Sequence, residues 1–258
     1  MIRPVARPAH VPGATLVALL LLACGAWMPG AVRSQPVNVR FDRLGIDDGL
    51  SQNTVTTVLQ DRQGYLWIGT EGGLNRYDGY SFAIYRPHRR DTTSLAHGFV
   101  NTLYEDRDGV LWVGTRGGLS RYERDHDRFL NYRMDAGTGA AGVMSVVEDL
   151  QGRLWVGTEQ GLFLFDRAAG TSTLVARQGP PPGGLGGNLI HVLKVDRSGA
   201  LWIGMESGGG LTRFDPETRT AEHFKHDPAD PSSLPFDDVR AIAEDPEGTL
   251  WLGTYGGG

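Results

Sequence analysis

The sequence holds a single cysteine, Cys24, so no disulfide can form within the chain. Charge is scarce in net terms: 25 Lys and Arg stand against 30 Asp and Glu, and that mildly negative balance has the wrong sign for a nucleic-acid partner. After residue 40 there is no long stripe of helical period, which argues against an α-helical domain. There is also no apolar run long enough for a comfortable transmembrane helix. The apolar stretch at 14–26 follows Arg3 and Arg7 and precedes Val32-Arg33-Ser34, and residues 1–34 therefore read as a secretory signal peptide. Leu21-Leu22-Ala23-Cys24 offers a rival reading as a lipidation site, with Cys24 tethered to a membrane. Both readings make the remainder an exported protein. What is plentiful is glycine, at 37 residues, which suits an all-β chain with many tight turns.

One phrase recurs five times: Asp-x-x-Gly-x-Leu-Trp-(Ile/Val/Leu)-Gly, starting at Asp61, Asp106, Asp149, Asp196 and Asp245. Its tryptophans are Trp67, Trp112, Trp155, Trp202 and Trp251, in steps of 45, 43, 47 and 49 residues. A period of forty-odd residues marks a repeat architecture, in which one supersecondary unit is arrayed.

The second unit shows how a repeat folds. Residues 99–105 alternate and are rich in β-formers. Asp106 to Gly109 has the end residues of a type I turn. Residues 111–115 form a strand apolar on both faces, 119–122 a third strand and 128–132 a fourth. Four short antiparallel strands per unit, arranged radially, make a β-propeller; a β-solenoid is the rival, but it repeats at shorter periods. The predicted fold class is an all-β propeller of four-stranded blades. The blades fall at about 50–90, 95–134, 140–177, 185–226 and 235–258, the last cut inside its second turn. Residues 37–44 alternate like a fourth, outer strand that closes a ring. Half a blade cannot close a ring, so 35–258 is expected to be a fragment of a longer protein, with seven blades in the intact ring.

Within the phrase, the tryptophan and the second glycine lie on one face of the strand. The five indoles are expected to pack between blades, each beside bare glycine backbone, rather than to serve as ligand platforms. Each phrase aspartate is expected to cap its own turn, since metal ligation needs several oxygens at one point and these are spread around a ring. His223 and His226, three apart on a strand, would face opposite sides. His88, His97 and His191 show no carboxylate constellation, and no catalytic triad, metal site or cofactor site is assigned. The basic run Arg86, His88, Arg89 and Arg90 reads as a solvated loop, with contact to an anionic sugar as the functional alternative. The loops entering the inner strands share one rim with those between second and third strands. That rim carries Glu71, Arg116, Glu159, Glu206 and Tyr255 as candidate ligand-binding residues, with Asn53, His97 and Asn188 beside them.

The repeats resemble those of the two-component regulator propeller family. The likeness runs through Gly49-Leu50-Ser51-Gln52-Asn53, the segment from Asp61 to Asp78, and that from Asp106 to Tyr122. Blade four departs at Gly204-Met205 and in its longer Ser207–Gly210 turn, and blade three has Gln160-Gly161 where others have Gly-Gly. The resemblance implies a periplasmic ligand-sensing domain, followed in an intact receptor by a β-sandwich, a membrane helix and a histidine kinase or diguanylate cyclase output. It implies carbohydrates or their breakdown products as ligands, and a dimeric intact receptor anchored to the membrane. Two other function classes stay open: a propeller lyase or glycoside hydrolase, which would need convergent carboxylates or a metal at the channel, and a protein-interaction scaffold.

Overall fold

The computed structural model describes residues 41–257. The chain divides into Met1–Arg43 and Leu44–Gly258. The signal-peptide and Cys24 readings lie outside the described residues. So do residues 37–40 of the expected closing strand, and 41–44 carry no strand.

From Leu44 onward the chain opens with a 3-10 turn, Ile46–Asp48, and then forms sheets in sequence order. The first contains β1 (Val55–Gln60), β2 (Leu66–Thr70), β3 (Gly73–Tyr77) and β4 (Phe82–Tyr85). The second contains β5 (Val100–Glu105), β6 (Leu111–Thr115), β7 (Gly118–Glu123) and β8 (Arg128–Tyr132), with a 3-10 turn at Arg124–His126. A two-residue ribbon, β9 (Met134–Asp135) with β10 (Ala140–Ala141), precedes the third sheet. That sheet is β11 (Val143–Glu148), β12 (Leu154–Thr158), β13 (Gly161–Asp166) and β14 (Thr171–Ala176). The fourth is β15 (Ile190–Val195), β16 (Leu201–Met205), β17 (Leu211–Asp215) and β18 (Thr220–Phe224), and the fifth is the pair β19 (Val239–Glu244) and β20 (Leu250–Thr254). Each four-stranded sheet is an antiparallel meander with neighbours in chain order. The first strands of successive sheets lie side by side, which is the radial arrangement of propeller blades.

The phrase aspartate does more than cap its turn. In blade two, Asp106 Oδ1 accepts the N–H groups of Asp108 (3.1 Å) and Val110 (2.9 Å), while Oδ2 accepts the Trp112 indole N–H at 2.8 Å. The indole bond repeats in all five blades, at 2.7 Å for Trp67, 2.8 Å for Trp155, 2.7 Å for Trp202 and 2.8 Å for Trp251. Turn and core side chain are thereby fixed by one carboxylate.

The seams differ in detail from the expectation. Tryptophan and glycine do share a face toward the next blade, but each meets a different partner there. The indoles of Trp67, Trp112 and Trp155 pack edge-on against Tyr122, Phe165 and Phe214, on the third strand of the following blade, at 5.0, 5.3 and 6.0 Å between ring centres. The glycine faces a β-branched residue that opens the next inner strand. A Cβ added at Gly114 would lie 2.7 Å from Val143 Cγ1, and one at Gly157 would lie 2.6 Å from Ile190 Cγ2. Trp67, Trp112 and Trp155 are 0%, 2% and 1% exposed, whereas Trp251 is 65% exposed, because no following third strand covers it among the described residues.

Trp112→Ala should therefore cost ~3–5 kcal/mol in a denaturant titration, the usual loss for a core aromatic, while Trp251→Ala costs well under half of that. Equal losses would contradict the seam assignment. Acid provides a second check. Burial disfavours the charged form of Asp149 and is the largest single influence on it. The Trp155 indole, the Arg153 N–H and the Arg153 guanidinium together outweigh burial and hold the carboxyl below its ordinary range. For Asp61, burial is likewise outweighed, by the Trp67 indole, the Arg124 guanidinium and the Tyr65 N–H. Depressed native pKa values add stability that is complete above the unfolded value near ~3.9 and disappears as pH falls through the folded values. Melting temperature should stay level above about pH 5 and fall below about pH 4, and Asp149→Asn should flatten that fall.

Candidate functional site

Every inner strand breaks register at the same place. The irregularity lies between Val55 and Thr57, Val100 and Thr102, Val143 and Ser145, Ile190 and Val192, and Val239 and Ala241. A bulge leaves one extra residue per strand and re-aims its side chain. The extra residues are Thr56, Asn101, Met144, His191 and Arg240, and all five line one cavity of about 460 Å³.

Arg116, Glu159 and Glu206, from the loops between second and third strands, line the same cavity. Three of the five rim candidates are thus brought together. Tyr255 stands at its margin, with the Arg240 guanidinium 5.3 Å from its ring centre. Glu71 is exposed and does not line the cavity. Asn53, His97 and Asn188 build loops instead: their side chains accept the N–H groups of Ile46 (3.1 Å), Phe99 (2.9 Å) and Gln178 (2.7 Å). Arg86 of the basic run donates to the carbonyls of Gly72 (3.3 Å) and Ser51 (3.4 Å). His223 and His226 reach separate carbonyls, Gly184 and Leu234.

One reading is corrected. His191 does have a carboxylate beside it: its Nδ1 lies 2.6 Å from Glu206 Oε1. The same oxygen lies 2.7 Å from Arg240 Nη1, and Arg240 Nη2 donates to Asp238 Oδ2 at 3.2 Å. This chain runs from blade four into blade five. Arg240 Nε and Asp238 Oδ1 remain buried without hydrogen-bond partners. The bulge residues were missed as a set because each looks ordinary in its own strand. The available signal was positional: each follows the β-branched residue that opens an inner strand, and their chemistry differs from blade to blade.

The polar side chains of the cavity fall into two kinds. Thr56 and Asn101 donate to the carbonyls of Val100 (2.6 Å) and Val143 (2.9 Å) in the following blade, and His191 and Arg240 are committed to Glu206. Arg116 and Glu159 are not committed in this way. The Arg116 guanidinium lies over the Phe99 ring at 3.7 Å. Neither it nor the Glu159 carboxylate has a hydrogen-bond or ion-pair partner among the described residues. Within those residues no group of three His, Cys, Asp or Glu is placed to hold a metal ion.

Comparisons with known proteins agree with this architecture. Residues 49–72, 94–117 and 233–256 match the family described as Two component regulator propeller. A histidine kinase of Formosa agariphila is 42% identical over 66 residues, which is 26% of this chain and 5% of the kinase. The extracellular domain of a hybrid two-component system from B. thetaiotaomicron superposes with a TM-score of 0.68 at 29% identity, covering 83% of this chain and 29% of that one. The virginiamycin B lyase of Staphylococcus aureus shares the fold alone, with a TM-score of 0.58 at 14% identity over 77% of this chain and 62% of the lyase. The chain therefore spans less than a third of the length of either signalling relative.

The ion-paired chain yields a direct test. A double-mutant cycle of Glu206→Gln and Arg240→Gln, followed by chemical denaturation, should return a coupling of about 0.5–3 kcal/mol, as for contacting, half-buried charges. A coupling near zero would mean that the pair does not tie blade five to blade four.

Proposed function

We propose that this chain, which carries two-component regulator propeller repeats, is the extracytoplasmic ligand-sensing part of a bacterial signalling receptor. In this reading it is exported to the periplasm and joined through a membrane segment to a cytoplasmic histidine kinase or diguanylate cyclase. Signalling is by a dimer, and the propeller itself performs no chemistry. Similarity to the extracellular domain of a hybrid two-component system supports the receptor context. The observation that carries the reading is the cavity, into which five structurally equivalent bulges and three rim loops direct residues of unlike chemistry. Its volume of about 460 Å³ lies within the ~300–1,000 Å³ of small-molecule sites.

Variable side chains on an invariant frame are how a repeat scaffold acquires specificity. Carboxylate, guanidinium, amide and hydroxyl groups in one cavity suit a hydroxyl-rich molecule such as a carbohydrate. The cavity spans blades one to five, so a ligand that favours one arrangement of those blades shifts the population of receptor states. The similarity to a lyase is one of fold only and adds no argument for catalysis.

Met144→Trp, which would fill the cavity from one bulge, tests the reading in a receptor carrying this propeller. A transcriptional reporter of its output should lose induction by polysaccharide-containing medium while receptor abundance is unchanged. Undiminished induction would refute the reading.

A further inference from the structure

We infer that the ligand of the axial cavity is a singly charged acidic sugar, a uronate, whose carboxylate is taken by Arg116 and whose ring hydroxyls are taken by Glu159. This rests on the sensing reading above and specifies its ligand class.

The argument begins with what is already occupied. Glu206 is shared between His191 and Arg240, and Thr56 and Asn101 are bonded to backbone. A ligand that competed for those groups would have to break existing hydrogen bonds. Arg116 and Glu159, on adjacent blades, are the charged lining residues with nothing to break. Phe99 covers one face of the Arg116 guanidinium at 3.7 Å. A guanidinium held against a ring and bonded to no other residue keeps its N–H donors available for a carboxylate, which it can pair with through two parallel hydrogen bonds.

Charge balance narrows the class. The lining carries Arg116 and Arg240 against Glu159 and Glu206. A free carboxylate one blade away from Arg116 repels a second negative charge, which disfavours doubly charged phosphates. The same carboxylate accepts hydroxyl donors, and a ring with a carboxylate on one side and hydroxyls on the other satisfies both residues together. Arg116 and Glu159 are both exposed, so a sugar ring can reach them from the solvent side.

Isothermal titration calorimetry on the full chain tests this with the monosaccharides galacturonate, glucuronate and mannuronate, their methyl esters, and neutral galactose. At least one acidic sugar should bind, with esterification weakening it about 10- to 100-fold, as expected for loss of a charge-assisted pair. Arg116→Gln should remove the same factor from the acid and leave the ester unchanged, Glu159→Gln should weaken acid and ester alike, and Glu71→Gln, off the cavity, should alter neither. Circular dichroism and melting temperature establish that each variant is folded. Acid and ester binding equally would overturn the uronate assignment while leaving sugar sensing intact, and so would unchanged acid binding by folded Arg116→Gln. Failure of all sugars to bind would also overturn the assignment, and the Met144→Trp receptor assay then decides separately whether the cavity senses anything.

Discussion

A carboxylate ringed by N–H donors organises each repeat, and it is buried in the first three. The phrase aspartate accepts two turn amides and one indole N–H, so a single side chain closes the first hairpin and fixes the tryptophan that will meet the next blade. Asparagine could not replace it without loss, because its amide nitrogen donates where the site requires acceptance. Burying that charge is costly unless it is paired or fully hydrogen-bonded. The seams supply further help by different routes. Arg124, in the third-to-fourth connection of blade two, reaches back to Asp61 at 2.9 Å, and Arg167 in the same connection of blade three lies 3.8 Å from Asp106. At the third seam the polarity is reversed: Arg153 of the same turn pairs with Asp149 at 2.6 Å, and blade four contributes Glu217 to that arginine, also at 2.6 Å. The chemistry is kept while the donor changes blade.

A second ladder shows the same tolerance. The residue after the phrase aspartate is Arg62, Arg107 or Arg197, and each donates to a carbonyl of the next turn, Asp106 O, Asp149 O and Asp245 O respectively. The residue before that next aspartate is Glu105, Glu148 or Glu244, and it faces the arginine or its backbone N–H. At the third seam both partners are exchanged for apolar residues, Leu150 and Val195, with Leu150 lying against the Gly199 turn. Replacing both members of such a pair is nearly neutral, whereas replacing one strands a charge, which explains why the exchange is joint.

Much of the fold was legible because it is written five times. The strand pattern of blade two, read from alternation and turn residues, matches β6 and β8 residue for residue and β5 and β7 to within a residue at each end. The shared face of Trp112 and Gly114 was legible from strand period alone. Their partners were not, since Phe165 and Val143 lie in the next repeat and nothing local marks the aromatic of a third strand as the seat for an indole. The site was half legible. Arg116, Glu159 and Glu206 could be placed on one rim by topology, but the bulge residues could not, because period-2 reasoning assigns Asn101 and His191 to a sheet face and has no provision for an extra residue. His191 looked solitary for the same reason: Glu206 is fifteen residues away in sequence and is brought back by the hairpin of β15 and β16.

The antiparallel register separates what is constant from what varies. In blade two, Glu105 opposite Leu111 marks the end with the aspartate turn, and Val100 opposite Thr115 marks the end with the bulge and the rim loop. The first end carries the repeated carboxylate, indole and arginine contacts, and substitution there disturbs a seam. At the second end Thr115 Oγ1 binds the Gly118 carbonyl, so the loop is held by its threonine, and the residue that follows, Arg116, bonds Phe99 through its backbone N–H while its side chain takes no part in holding the loop. In the same way the Thr70 and Thr158 hydroxyls donate to the Gly73 and Gly161 carbonyls, and Glu71 and Glu159 follow them with side chains that do not hold the loop. The two positions per blade at this end differ: bulge residues take on seam contacts of their own, as Thr56 and Asn101 do with the next blade and Arg240 does with Glu206, whereas the loop residues Arg116 and Glu159 carry none. The loop residue after the threonine is thus the position at which the fold makes least demand on side-chain identity.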